Sequence, residues 1–157
     1  LRLCAYEIGL IHTLLSPEDV VEKIFINFPN PWPHTGHRKK RLTHPKQLVL
    51  YASFLADGGE ILMKTDDEPL FRDTQEYLTQ WGFDLTYVTW DLHQSGWPES
   101  PMTEHEEKFT AEGIPTKFLA ARFRKGCTDV RIAEQLTRYP KFAPPVVPEG
   151  VFRPEIL

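Results

Sequence analysis

"HPKQLVLYASFLADGGEILMKTDDEPLFRDTQEYLTQWG", His44 to Gly82, decides the fold. Leu48, Leu50, Tyr51, Phe54 and Leu55 recur at helical spacing, and Gly58-Gly59 reads as the stop. "GEILMKTD" then reads as a strand. "EPLFRDTQEYLTQWG" reads as a second amphipathic helix, with Pro69 near its start and Gly82 past its end. Helix, strand and helix in close succession predict a layered α/β unit.

Working outward, "EKIFINFP" is a β-like run rich in Ile and Phe, and "LRLCAYEI" reads as another. Between them, "HTLLSPEDVVEK" suggests a short helix or turn, and Ser16-Pro17-Glu18-Asp19 looks like an N-cap with Pro at the first helical position. "FDLTYVTWDL" and "KFLAARFR" are late strands. This order predicts a parallel sheet whose last strand is antiparallel. Ligands of such sheets bind at strand carboxyl ends, and Glu7, Asn30 and Asp66 all fall there. Residues 1–125 are expected to form the α/β domain. Residues 126–157, with "PKFAPPVVPEGVFRPEIL" and a short helix over Asp129–Arg138, are expected to form a Pro-rich extension.

The chain has 157 residues, 41% hydrophobic and 25% charged, an ordinary globular composition. No apolar run approaches the roughly 18 residues of a membrane span. Cys4 and Cys127 have no metal-ligand spacing and fit a reducing cytosol. The net charge is −4, yet Lys23 to Ala56 carries six Lys or Arg and no Asp or Glu. A basic strip hidden within an acidic total is a local electrostatic footprint for nucleic acid.

Four groups of residues carry candidate chemistry. In Asn30-Pro31-Trp32-Pro33, two prolines stiffen a turn that can aim an amide and an indole into a cleft; a packed structural turn is equally compatible. His37-Arg38-Lys39-Lys40-Arg41 offers phosphate contacts, or a solvated loop. Asp66 offers hydrogen bonds to a base or ribose, unless it or Asp67 caps the helix that follows. Thr103, Glu104, His105 and Glu106 form a dense polar patch that touches a ligand or starts a helix.

"FINFPNPWPHTGHRKKRLTHP", "ILMKTDDEP" and "PMTEHEEKF…GIPTKFLAARF" together resemble the tRNA (guanine-N7)-methyltransferases, in the same order and at similar spacing over Leu1 to Arg124. The resemblance implies a Rossmann-like S-adenosylmethionine-dependent methyltransferase sheet, acting in the cytoplasm on N7 of guanine 46 in tRNA. It implies that Glu7 lies near the cofactor adenine and that Asn30 occupies the Asp position of the family's Phe-x-Asp-Pro-Trp turn, touching cofactor and reaction centre. His34 stands where a substrate-contacting Lys is usual, and Asp66 matches a substrate-contacting Asp. Thr103 to Glu106 match the Thr-x-aromatic-Glu motif, with His105 in the aromatic slot, and Ser100 stands where some members have Arg. Asn30 and Asp66 are thus the expected catalytic pair, with Arg38, Lys39, Lys40 and Arg41 on the tRNA phosphates. "YEIGLIH" lacks the second and third glycines of the family's cofactor loop. The first strands of the sheet are therefore expected to be absent from this chain. An amino-group nucleic-acid methyltransferase and a non-catalytic tRNA-binding remnant are the alternatives.

Overall fold

The computed structural model describes residues 6–15, 18–98 and 100–146. Its strands are β1 (Val21–Asn27), β2 (Leu55–Thr65), β3 (Asp84–Thr89) and β4 (Lys117–Arg122). Its helices are α1 (Ile11–Leu14), α2 (Pro45–Ala52), α3 (Glu68–Gln80), α4 (Glu104–Ala111) and α5 (Lys125–Arg138). Short 3-10 turns cover Ile8–Leu10, Thr35–Lys40 and Pro140–Phe142.

Among the described residues the sheet runs β1-β2-β4-β3. β1 pairs parallel with β2, and β4 is antiparallel to both β2 and β3. The antiparallel last strand is the one expected, and the mixed α/β sheet agrees with the Rossmann-like reading. β1, β2 and β3 therefore end at one edge of the molecule.

Burial follows strand position. β2 is buried from Ile61 through Thr65 because it has neighbours on both sides and cover on both faces. One face packs Ile26, Ile61, Met63, Leu119 and Ala121 against α2, α3 and α5, through Leu48, Tyr51, Phe71, Leu78, Trp81 and Ile132. The other carries a smaller cluster of Leu62, Leu92, Phe118 and Ala120, with Tyr87 and Trp97 against it.

Three local expectations are corrected. The stretch read as the strand "LRLCAYEI" lies partly outside the described residues, and where described it leads into the 3-10 turn at Ile8–Leu10. The short helix or turn expected between the two runs takes the form of α1 (Ile11–Leu14) and a turn at Glu18-Asp19; no helix runs on from Asp19, and β1 begins at Val21. Ser16 and Pro17 lie outside the described residues. The helix that opens the deciding stretch ends at Ala52, not at the glycine pair. Phe54 N–H bonds back to Tyr51 O in a turn, and Gly58 and Gly59 lie inside β2. There Gly58 N–H donates to Phe123 O at 2.8 Å, and Phe123 N–H to Gly59 O at 2.7 Å. A Cβ on Gly59 would stand 2.8 Å from Ala56 O, so this glycine permits a close backbone approach rather than a helix stop.

The helix expected over Asp129–Arg138 begins earlier, at Lys125, and Ile132 joins the core.

Candidate active site at the strand ends

β1 ends in a strained turn. Phe28 (φ 47°) and Trp32 (φ 42°) both adopt left-handed backbone, costly for side chains of this size. Three contacts hold the turn there. Phe28 N–H donates to Lys64 O at 2.9 Å. Asn30 Oδ1 accepts from Trp32 N–H at 3.1 Å. Arg41 Nε donates to Pro31 O at 2.7 Å while its Nη1 binds Asp73 Oδ2 on α3 at 2.5 Å.

The neighbouring strand end brings up Asp66 and Asp67. Asp67 is the α3 cap, its Oδ1 accepting from Leu70 N–H at 2.7 Å. Asp66 is not the cap. Its carboxylate stands 3.6 Å from His105 Nε2, and its main-chain oxygen accepts from the buried Lys117 ammonium at 3.0 Å. His105 lies between Phe28 and Phe109, 4.2 Å from each ring centre.

Asn30, Asp66 and His105 consequently line one open cleft of about 410 Å³, with Phe28, Pro31 and Asp67 among its walls. Glu7 does not line it. It is exposed and precedes the 3-10 turn at Ile8–Leu10.

Thr103 and Glu106 form a capping box at the start of α4. Glu106 N–H donates to Thr103 Oγ1 at 3.2 Å, and Thr103 N–H to Glu106 Oε2 at 2.9 Å. Glu106 is fully buried, and Lys64 Nζ reaches its two oxygens at 3.1 and 2.9 Å and Pro101 O at 2.9 Å. Burial pushes the Glu106 carboxyl up. The Lys64 hydrogen bond, the Thr103 N–H and the Lys64 charge outweigh it and hold the group below its ordinary range. Glu106 thus turns inward, away from the side where a ligand contact was expected. Glu104 is exposed on the first turn of α4, and Thr103 also borders a smaller cavity with Ser100, Trp97 and Phe25.

The basic segment divides. His34 and Lys39 are exposed, and Lys40 Nζ sits 4.7 Å over the Trp32 ring. Arg38 is partly exposed and paired with Asp73 Oδ2 at 3.3 Å. Arg41, expected on phosphate, is only 1% exposed, because Asp73 and Pro31 O take its guanidinium inward. It is a brace for the turn.

Sequence reasoning missed Lys64, Lys117 and the Phe28–His105–Phe109 stack. A lysine within the apolar run "EILMKTD" was the available signal, since a buried ammonium requires a partner.

A family described as putative methyltransferase matches residues 2–119. Over 121 residues the chain is 52% identical to a tRNA (guanine-N(7)-)-methyltransferase of Clostridium perfringens, covering 77% of this chain and 55% of that protein. It is 49% identical over 140 residues to the protein of that name from Ruminiclostridium cellulolyticum, covering 86% and 59%. It is 51% identical over 123 residues to the Clostridium tetani protein, covering 78% and 58%. The chain spans about half the length of the curated relatives it matches. With most of its length matched by the profile, and a cleft at the carboxyl ends of its parallel strands, the chain belongs to the putative methyltransferase family.

Proposed function

We propose that this chain acts as a cytoplasmic tRNA (guanine-N7)-methyltransferase that uses S-adenosylmethionine and acts on guanine 46. The observation that carries the reading is the identity of about half to proteins of that name across most of the chain.

The chemistry asks little of the protein. Guanine N7 already has a free lone pair, so no base is needed to make a nucleophile. Rate must come from alignment and from stabilising the positive charge that develops on the ring. Asn30 and Asp66 share a cleft in which to orient the base. The Asp66 carboxylate lies where it can face that charge. The Lys117 hydrogen bond to its main chain fixes the position. His105 offers an aromatic face between Phe28 and Phe109. Arg38, Lys39, Lys40 and His34 take phosphates on the outer side, and Thr103 and Glu104, at the start of the helix that carries His105, meet substrate outside the cleft lining.

The residues present fit S-adenosylmethionine only in part. Asp66 and Asp67 suit a cationic sulfonium, but no glycine turn for a nucleotide lines the cleft, and Glu7 stands apart from it. When bound, S-adenosylmethionine would supply a methyl from its sulfonium; residues to hold its nucleotide are not among the described lining of this cleft.

The test is methyl transfer to a tRNA transcript carrying guanine 46, with the methylated atom mapped by cleavage specific for 7-methylguanosine. Label at N7, absent from an adenine-46 transcript, supports the reading. Label on an exocyclic amine would assign the amino-group chemistry instead. Tight tRNA binding without transfer, in the presence of cofactor, would leave a binding module.

A further inference from the structure

β3 runs parallel to β1 and β2, so Trp90, which follows its last residue, stands at the same edge as Asn30 and Asp66. Trp90 is 40% exposed, high for tryptophan. Phe71, buried on α3, meets it at 5.0 Å and 82°, and Arg72 Cζ lies 4.7 Å over its ring. Arg72 gives Nε to Glu68 Oε1 at 2.9 Å, and its side chain is 64% exposed, so the outer edge of the guanidinium faces solvent. The next residue, Asp73, binds Arg38 and Arg41 of the basic segment. One turn of α3 therefore sends Phe71 into the core, Arg72 onto Trp90 and Asp73 to the basic segment. The two surfaces flank a single helix, about 10–12 Å across with its side chains.

We propose that Trp90 and Arg72 seat an unpaired RNA nucleotide next to the one that enters the Asn30–Asp66 cleft. Its base lies against the indole–guanidinium pair, and its phosphate meets the outer edge of Arg72. The proposal rests on the tRNA reading and adds the state of the RNA that is held: a loop with its bases splayed. Unstacked bases are recognised by aromatic rings and arginine planes. Such stacking tolerates any base because each has a π face. A duplex has no free base face to offer. The competing role, a clasp fastening α3 to β3, would alter melting and leave RNA affinity alone.

The experiment measures binding of the whole chain to a tRNA transcript and to a duplex RNA of equal length, across a salt series. Trp90→Ala should weaken tRNA binding about tenfold or more without changing its salt slope, and leave duplex binding unchanged. Trp90→Phe should restore most of the affinity, which a loss of folding in the alanine variant would not mimic. Arg72→Ala should weaken binding and lower the slope by about one phosphate contact. Wild-type affinity in Trp90→Ala, or an equal loss on tRNA and duplex, overturns the seat while leaving the tRNA reading intact. Failure of the unaltered chain to bind tRNA at low salt overturns both.

Discussion

Asp66 and Asp67 are adjacent and chemically identical, and the structure gives them different work. Asp67 closes the first turn of α3, whereas Asp66 faces His105 across the cleft. Asp66→Asn should therefore lower methyl transfer by about 10²-fold, on the scale of losing one electrostatic stabiliser, with little change in melting. Asp67→Ala should instead cost about 1 kcal/mol of stability through the lost cap. Paired activity and thermal-melt measurements on the two variants separate these roles. The position of Asp66 was legible because a strand end fixes where its first residue emerges. The inward turn of Arg41 and Glu106 was not, since each is set by a distant partner, Asp73 and Lys64. His44 gives a second residue-level test. Its Nδ1 accepts from Lys46 N–H at 3.2 Å, which only the neutral ring can do. Burial, then the charges of Lys46, Arg41 and Lys141, lower its pKa from 6.5 to about 4. The unfolded chain then takes up the proton more readily than the folded one. Stability should thus be unaffected above pH 6.5 and fall as pH drops toward 4, by about 3 kcal/mol in all. His44→Asn keeps a capping side chain and should flatten that slope in urea midpoints read at pH 7 and pH 4.5.

Elements show where local pattern suffices and where it fails. α3 was readable end to end, because its cap, Pro69 and the spacing of Leu70, Phe71, Thr74 and Leu78 all point the same way. The start of β2 was misread because Gly58-Gly59 resembles a helix stop. The glycines instead serve a break in the pairing register, in which β1 advances from Val21 to Lys23 while β2 advances from Leu55 to Glu60. α4 has a weak apolar stripe, with Glu106 its one buried residue, so a charge pair rather than a greasy face seats it. Removing one partner of such a pair leaves the other buried and uncompensated. Lys64→Met should destabilise the fold by about 3–5 kcal/mol. The double variant with Glu106→Gln should regain most of that loss, because Gln can still close the capping box. Since the Glu106 carboxyl is held below its ordinary range, the pair's contribution is present above that range. It is lost as pH falls through the lowered folded-state value, so Lys64→Met and wild type should converge at strongly acidic pH.

On the scale of the molecule, the basic strip read from composition is smaller than its charge count. Lys23 pairs with Glu60 at 3.6 Å, Arg38 with Asp73, and Arg41 is buried. The outward field rests mainly on Lys39, Lys40 and Lys46, all exposed. Charge runs were legible; their neutralisation across the fold was not, because it needs the partner's position. The same dependence governs how α5 closes the helical layer. Its Thr128 is fully buried; Oγ1 donates to Gly82 O at 2.9 Å and accepts from Arg124 N–H at 3.1 Å. Gln135 Nε2 reaches Gln80 O at 3.2 Å, and the rings of Tyr139 and Phe142 approach Trp81. All these contacts converge on the turn between α3 and β3. At its centre Gly82 has φ 91°, and a Cβ there would lie 2.7 Å from Arg131 Cβ and 3.0 Å from Thr128 Cα. Gly82→Ala must therefore strain the turn and push α5 off it at once. A left-handed alanine alone costs of order 1–3 kcal/mol, and displacement of Ile132 from the core adds to it. Thr128→Val keeps the shape but leaves Gly82 O without its side-chain donor, at about 1–3 kcal/mol. If α5 is part of the cooperative unit, both variants lower one shared unfolding transition, read alike by circular dichroism and by tryptophan emission. An unchanged main transition, with loss confined to the helical signal of α5, would instead mark α5 as a separately melting layer.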